Sequence, residues 1–77
     1  MTFMWTDCGT SNTITTFVGI HADGSRGLVQ SVYGAPDSWA GVFWGPNSCI
    51  KVCLPVQSTV EASKQTVADE HAARIGT

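Results

Sequence analysis

Five side chains in this 77-residue chain could donate nitrogen or sulfur to a metal, or serve as nucleophile and base: Cys8, Cys49, Cys53, His21 and His71. Their spacing argues against both uses. Cys49-Ile50-Lys51-Val52-Cys53 is a C-x3-C inside a predicted strand, not a knuckle that turns two sulfurs onto one zinc ion. At ~3.3 Å rise per residue, the two Cα atoms would stand ~13 Å apart, too far for a disulfide. The expectation is free thiols packing as small apolar side chains, His21 beside a hairpin turn, and His71 satisfied against the sheet, with no metal and no cofactor. A reactive cysteine needs an electropositive niche such as a helix N-terminus, and none of the three is near the single predicted helix start. No nucleophile elbow, phosphate loop or metalloprotease motif is present. A chain this short also has little material for a pocket of ~300 Å³ or more. No catalytic residue is expected, and the protein reads as a non-enzyme.

The elements that would position these groups are marked by closely spaced turn signals. Thr13 to His21 is rich in β-branched residues and predicts a strand; Asp23-Gly24 predicts a two-residue hairpin turn; Arg26 to Tyr33 is the return strand. Gly34 to Ser38 reads as a loop, Trp39 to Trp44 as a third strand, Gly45-Pro46-Asn47-Ser48 as a tight turn, and Cys49 to Leu54 as a fourth strand ended by Pro55. Ser58-Thr59-Val60-Glu61 has the form of a capping box opening a helix that runs to Ile75, with Gly76 placed to cap its end. Glu70 and Arg74 stand at i, i+4 in the favourable order. The fold class that follows is α+β: a four-stranded antiparallel β-meander with one C-terminal helix packed on one face. It forms a single domain over 1–77, with an N-terminal segment at 1–12, the meander at 13–54 and the helix at 58–75.

Turn geometry also sorts the faces. With Pro46-Asn47 central in the turn, Phe43 pairs with Ile50 and Gly41 with Val52. One face of that hairpin then carries Trp39, Phe43, Ile50, Val52 and Leu54, assigned to the core; the other carries Ala40, Val42, Trp44, Cys49, Lys51 and Cys53. A slip of one residue would exchange them. On the helix, Val60, Val67, Ala68, His71, Ala72 and Ile75 share a side with Lys64 in its middle. That stripe is thin and alanine-rich, so the helix should lie close to the sheet.

The surface reading follows from what the helix leaves over. Three tryptophans, three phenylalanines and a tyrosine are more large rings than one thin helix would cover. Trp44, with Lys51 alongside, is the candidate partner-binding surface, because tryptophan combines contact area with a polar handle. The competing view has Trp44 half-buried against the segment around Trp5. Asp37 and Asp23 sit at predicted loop tips and complete the candidate set, although turn chemistry alone accounts for aspartate at such positions.

Charge excludes one partner class. The four basic residues, Arg26, Lys51, Lys64 and Arg74, are dispersed, and phosphate-backbone binding needs clustered cations. Residues 1–7 lack a basic n-region and a continuous apolar stretch, and no run approaches the ~20 apolar residues of a membrane span, so a cytoplasmic protein is expected. A domain of this size buries only roughly 60% of its unfolded surface, which makes a homodimer or a docked complex a reasonable expectation.

The order of a meander, the S-x-x-E-A start at Ser58, Glu61 and Ala62, and the D-E-H-A-A-R-I ending at 69–75 resemble small orphan proteins of bacteriophages and mobile elements, anti-CRISPR proteins among them. The resemblance covers most of the chain as a layout. It implies a stand-alone phage-type inhibitor, acting in the host bacterial cell, that binds a host protein or ribonucleoprotein complex and blocks it sterically. The alternative is a small nucleic-acid-binding module of the sheet-plus-helix type, which would need a Lys/Arg cluster at the final helix that this chain lacks.

Overall fold

In the computed structural model, which describes residues 2–75, the chain is an antiparallel sheet followed by one helix. The elements are β1 (Met4–Ser11), β2 (Ile14–Ile20), β3 (Arg26–Val32), β4 (Ala35–Trp44), β5 (Val52–Cys53) and α1 (Val60–Ile75). The sheet has five strands in sequential order, not four, because the N-terminal segment expected at 1–12 contributes the strand Met4–Ser11. That strand has no β-branched run to announce it, and a bulge interrupts it: its register with β2 shifts between Asp7 and Thr10. Gly9 sits there at φ +84°, its N–H donating to the Asp7 carboxylate at 2.8 Å.

The turns differ from their sequence reading in ways φ explains. Asn12 and Thr13, at φ 52° and 65°, make the two-residue turn from β1 to β2. Between β2 and β3 only Gly24 has positive φ, so Asp23-Gly24 is not the two-residue turn expected. Instead the His21 carbonyl accepts from Gly24 N–H at 3.0 Å and His21 N–H donates to the Ser25 carbonyl at 2.8 Å, closing a three-residue loop over Ala22, Asp23 and Gly24. The expected loop at Gly34 to Ser38 is mostly strand: Val32 pairs with Ala35, and the register jumps to Ser31 with Trp39, leaving 36–38 as a bulge of β4.

The β4–β5 connection is wider than a two-residue turn. Phe43 pairs with Val52 and Val42 with Cys53, a shift of two residues from the predicted register. An even shift preserves the faces. Trp39, Phe43, Val52 and Leu54 therefore do face the core, whereas Ile50, expected with them, lies in the connection and is 75% exposed. Cys49 lies in that connection too, and Cys8, Cys49 and Cys53 are all exposed free thiols, not packed ones.

The helix begins one residue later than a Ser58 cap would place it. Thr59 is the cap, its hydroxyl accepting from Ala62 N–H at 3.1 Å. The Glu70–Arg74 pair forms as expected; Gly76 lies outside the described residues. Ser63, Val67 and His71 form the buried stripe, while Ala72 and Ile75 are exposed. The close approach of helix to sheet is bought by small residues: a Cβ on Gly27 would stand 2.6 Å from Val67 Cγ1, and one on Gly41 3.1 Å from Ser63 Oγ. Phe3, Val29, Phe43 and Val67 are the buried core, with Trp5, Phe17 and Trp39 packed around them. Contrary to expectation, five of the seven aromatic rings thus lie on the helix side; only Tyr33 and Trp44 do not.

Candidate functional site

Two features stand out, one beneath the helix and one on the opposite face. Beneath the helix, the β2–β3 loop and the last turns of α1 meet at His21, Asp23 and His71. His71 Nε2 lies 2.7 Å from Asp23 Oδ2, and His21 Nδ1 lies 3.1 Å from Asp23 Oδ1. Both histidines are buried, at 8% and 4% exposure. Their rings stack at 4.1 Å between centroids, and Phe3 meets each edge-on, at 5.2 and 5.5 Å. The Asp23 backbone N–H donates to His21 Nδ1 at 3.2 Å, so that nitrogen presents a lone pair. The Asp23 carboxylate accepts from Ser25 N–H at 2.8 Å. Its pKa is held well below the usual carboxylate range, first by the His71 hydrogen bond, against the opposing effect of burial, then by the Ser25 backbone and hydroxyl. That hydroxyl is fully buried and close enough to polarise the carboxylate, yet it makes no hydrogen bond of normal geometry.

A hollow of about 410 Å³ opens onto the two histidines and is lined further by Phe3, Trp5, Glu61 and Lys64. Lys64 lays its ammonium over Phe17 at 4.4 Å and Trp5 at 5.5 Å from the ring centroids, which accounts for a cation in the middle of the packed stripe. Asp23 therefore has more than a turn role: it makes the turn contact to Ser25 and also ties the loop to the helix. The sequence reading placed His21 by the turn and His71 against the sheet but did not join them. The signal was there in the i, i+2 spacing of His21 and Asp23, and in His71 lying on the helix stripe at its C-terminal end.

On the opposite face, cross-strand pairing aligns Met4, Ile20, Arg26 and Trp44 in one row, and Thr6, Val18, Leu28, Val42 and Cys53 in the next. Met4 is 77% and Ile20 57% exposed. Trp44 is half-buried, under the Arg26 guanidinium at 5.5 Å, and Arg26 also donates to the Ser48 carbonyl at 2.8 Å. Trp44 does not pack on Trp5, which faces α1. Lys51 is exposed in the β4–β5 connection, at the same end of the sheet as Trp44. Asp37 is exposed in the β4 bulge at the other end, and Asp23 belongs to the histidine cluster. The four candidate residues are thus not brought together into one site.

No family model, no curated protein and no solved structure matches this chain. Among the described residues, no helix is long and apolar enough to cross a membrane.

Proposed function

We propose that this protein is a non-catalytic interaction module that binds a protein partner through the sheet face turned away from α1. The reading rests on one observation: two adjacent cross-strand rows, mostly apolar, the first carrying Arg26 and ending at Trp44, lie on a face that no element of the described residues crosses. A contiguous patch of this kind, with an aromatic and an arginine at its margin, has the composition of an interface centre. Four strands spaced ~4.8 Å apart and ~23 Å long, with β5 adding only two residues, give a face of roughly 440 Å². That is below the ~800 Å² per partner of a standard interface, so flanking loops such as those carrying Lys51 and Asp37 would have to contribute.

The basic side chains favour a protein over a nucleic acid. Lys64 is spread over two rings and Arg74 is paired with Glu70, which leaves too few free cations for a phosphate track. The resemblance of the sequence layout to small phage proteins, anti-CRISPR proteins among them, makes a bacterial defence complex the first partner to test, with steric block as the mode of inhibition. Purified protein should co-elute stoichiometrically with such a complex. Trp44→Ala and Ile20→Asp should each weaken binding by more than about 1 kcal/mol, roughly fivefold. Undiminished binding by both variants would remove this face as the contact surface. A mobility shift on RNA or DNA at low salt would instead favour the nucleic-acid module.

A further inference from the structure

We infer that His21, Asp23 and His71 form a binding site for one divalent transition-metal ion, with zinc as the ion of choice. The site lies beneath the helix, so it stands or falls independently of the sheet-face interface. Three observations carry it. The three ligand atoms, His21 Nδ1, an Asp23 carboxylate oxygen and His71 Nε2, all lie within 4.8 Å of one another. Two imidazole nitrogens and one carboxylate oxygen are a donor set that suits zinc, with cobalt(II) and nickel(II) as close substitutes.

The second observation is an electrostatic conflict. His21 Nδ1 accepts from the Asp23 N–H and also lies 3.1 Å from Asp23 Oδ1, so ligation would take the lone pair now given to that N–H. Two acceptors at that distance repel unless a proton or a metal ion is shared between them. Third, both histidines line the hollow of about 410 Å³, which gives an ion and its water a route to the two rings, although Asp23 is not part of that wall.

The movement required is a side-chain adjustment of about 1–2 Å. Ligands bound at ~2.0–2.1 Å in a tetrahedron stand ~3.3 Å apart. His21 Nδ1 stands 3.1 Å from one Asp23 oxygen and His71 Nε2 2.7 Å from the other, so the carboxylate must turn one oxygen to both rings and the three ligand atoms, now within 4.8 Å of one another, must draw together. Asp23 lies in an exposed loop and can make that adjustment. For His71 to ligate, the proton on Nε2 must leave for solvent or move to Nδ1, so loading releases protons or shifts a tautomer. Lys64 lines the same hollow and opposes a cation; Glu61 on the same wall offsets it, and the Lys64 ammonium is already directed over two rings.

The test must exclude the three exposed cysteines, which compete for zinc. The full chain carrying Cys8→Ser, Cys49→Ser and Cys53→Ser would be stripped with chelator and titrated with zinc. Binding would be followed by calorimetry and by the side-chain 15N resonances of His21 and His71. The expected result is one equivalent bound, with Nδ1 of His21 and Nε2 of His71 both shifting to ligated values. Cobalt(II) should give the visible absorption of a four- or five-coordinate site. His71→Gln and Asp23→Ala should each weaken binding by more than the roughly tenfold that losing an outer-shell partner costs. The nitrogen shifts are read on folded protein with its histidines intact, so a variant that fails to fold does not blunt the test. Zinc at a hundredfold excess leaving both histidines unshifted, or binding that disappears with the cysteines, would overturn the site and leave a hydrogen-bonded clasp.

Discussion

Asp23 is the residue on which the lower half of the molecule turns, because one carboxylate serves both a loop and a helix. It accepts from Ser25 N–H in its own loop and lies 2.7 Å from His71 Nε2 on α1. Those contacts favour the ionised form, and the folded-state pKa falls below the ordinary 3.8. A lowered folded value means that the stabilisation is fully present above 3.8 and is lost as pH falls through that value toward the folded one. In chelator, urea midpoints of the native chain should therefore drop more steeply below about pH 4 than those of Asp23→Asn. Equal acid limbs in the two proteins would show that the carboxylate is not held by this network. A second residue-scale prediction separates two adjacent hydroxyls. Thr59→Ala should cost about 1 kcal/mol, because it removes the bond to Ala62 N–H, whereas exposed Ser58→Ala should stay within about 0.5 kcal/mol. The reverse order would restore Ser58 as the cap.

At the scale of elements, α1 can rest on the sheet only because the strands beneath it offer no side chain at two points. A Cβ at Gly27 would meet Val67 Cγ1 at 2.6 Å and the Trp5 ring at 3.2 Å, and neither neighbour is free to withdraw from a packed core. Gly27→Ala should cost about 1–3 kcal/mol in chemical denaturation. A neutral result would mean that the helix floats on the sheet. This contact also marks the limit of what the sequence made legible. The thin, alanine-rich stripe of the helix implied a close approach, and residue alternation along β4 and β5 sorted their side chains correctly even though the register was off by two. An even error in pairing leaves every side chain on its own face, so Trp39, Phe43, Val52 and Leu54 were placed without knowing the loop. What could not be read were features set by partners distant in sequence. β1 becomes a strand by pairing with β2, despite Asp7 and Gly9 within it. The histidine cluster forms only when residues 48 positions apart are folded together.

At the scale of the whole molecule, the asymmetry between the two faces divides stability from surface. Phe3, Trp5, Phe17, Trp39 and Phe43 gather on the helix side, while the far face keeps aliphatic rows with Trp44 at one end. A domain this small has about 3–5 kcal/mol to lose, and Phe43→Ala removes about 3–5 kcal/mol of burial and packing. That variant should be largely unfolded by circular dichroism at room temperature. The exposed apolar positions of the far face should behave in the opposite way. Met4 and Ile20 are neighbours on paired strands and stand 77% and 57% exposed, so little of either is removed from water on folding. Replacing both with lysine should move the urea midpoint by no more than about 0.5 kcal/mol per site. Two like charges placed directly opposite each other will account for part of that. The same double variant should abolish binding of a protein partner or a second copy of the chain, because two uncompensated ammonium groups would have to be desolvated at the centre of the contact. Stability and binding must therefore separate in this one variant. A Met4→Lys/Ile20→Lys protein that unfolds would show that these side chains hold the fold together, and the far face would then be structure and not surface.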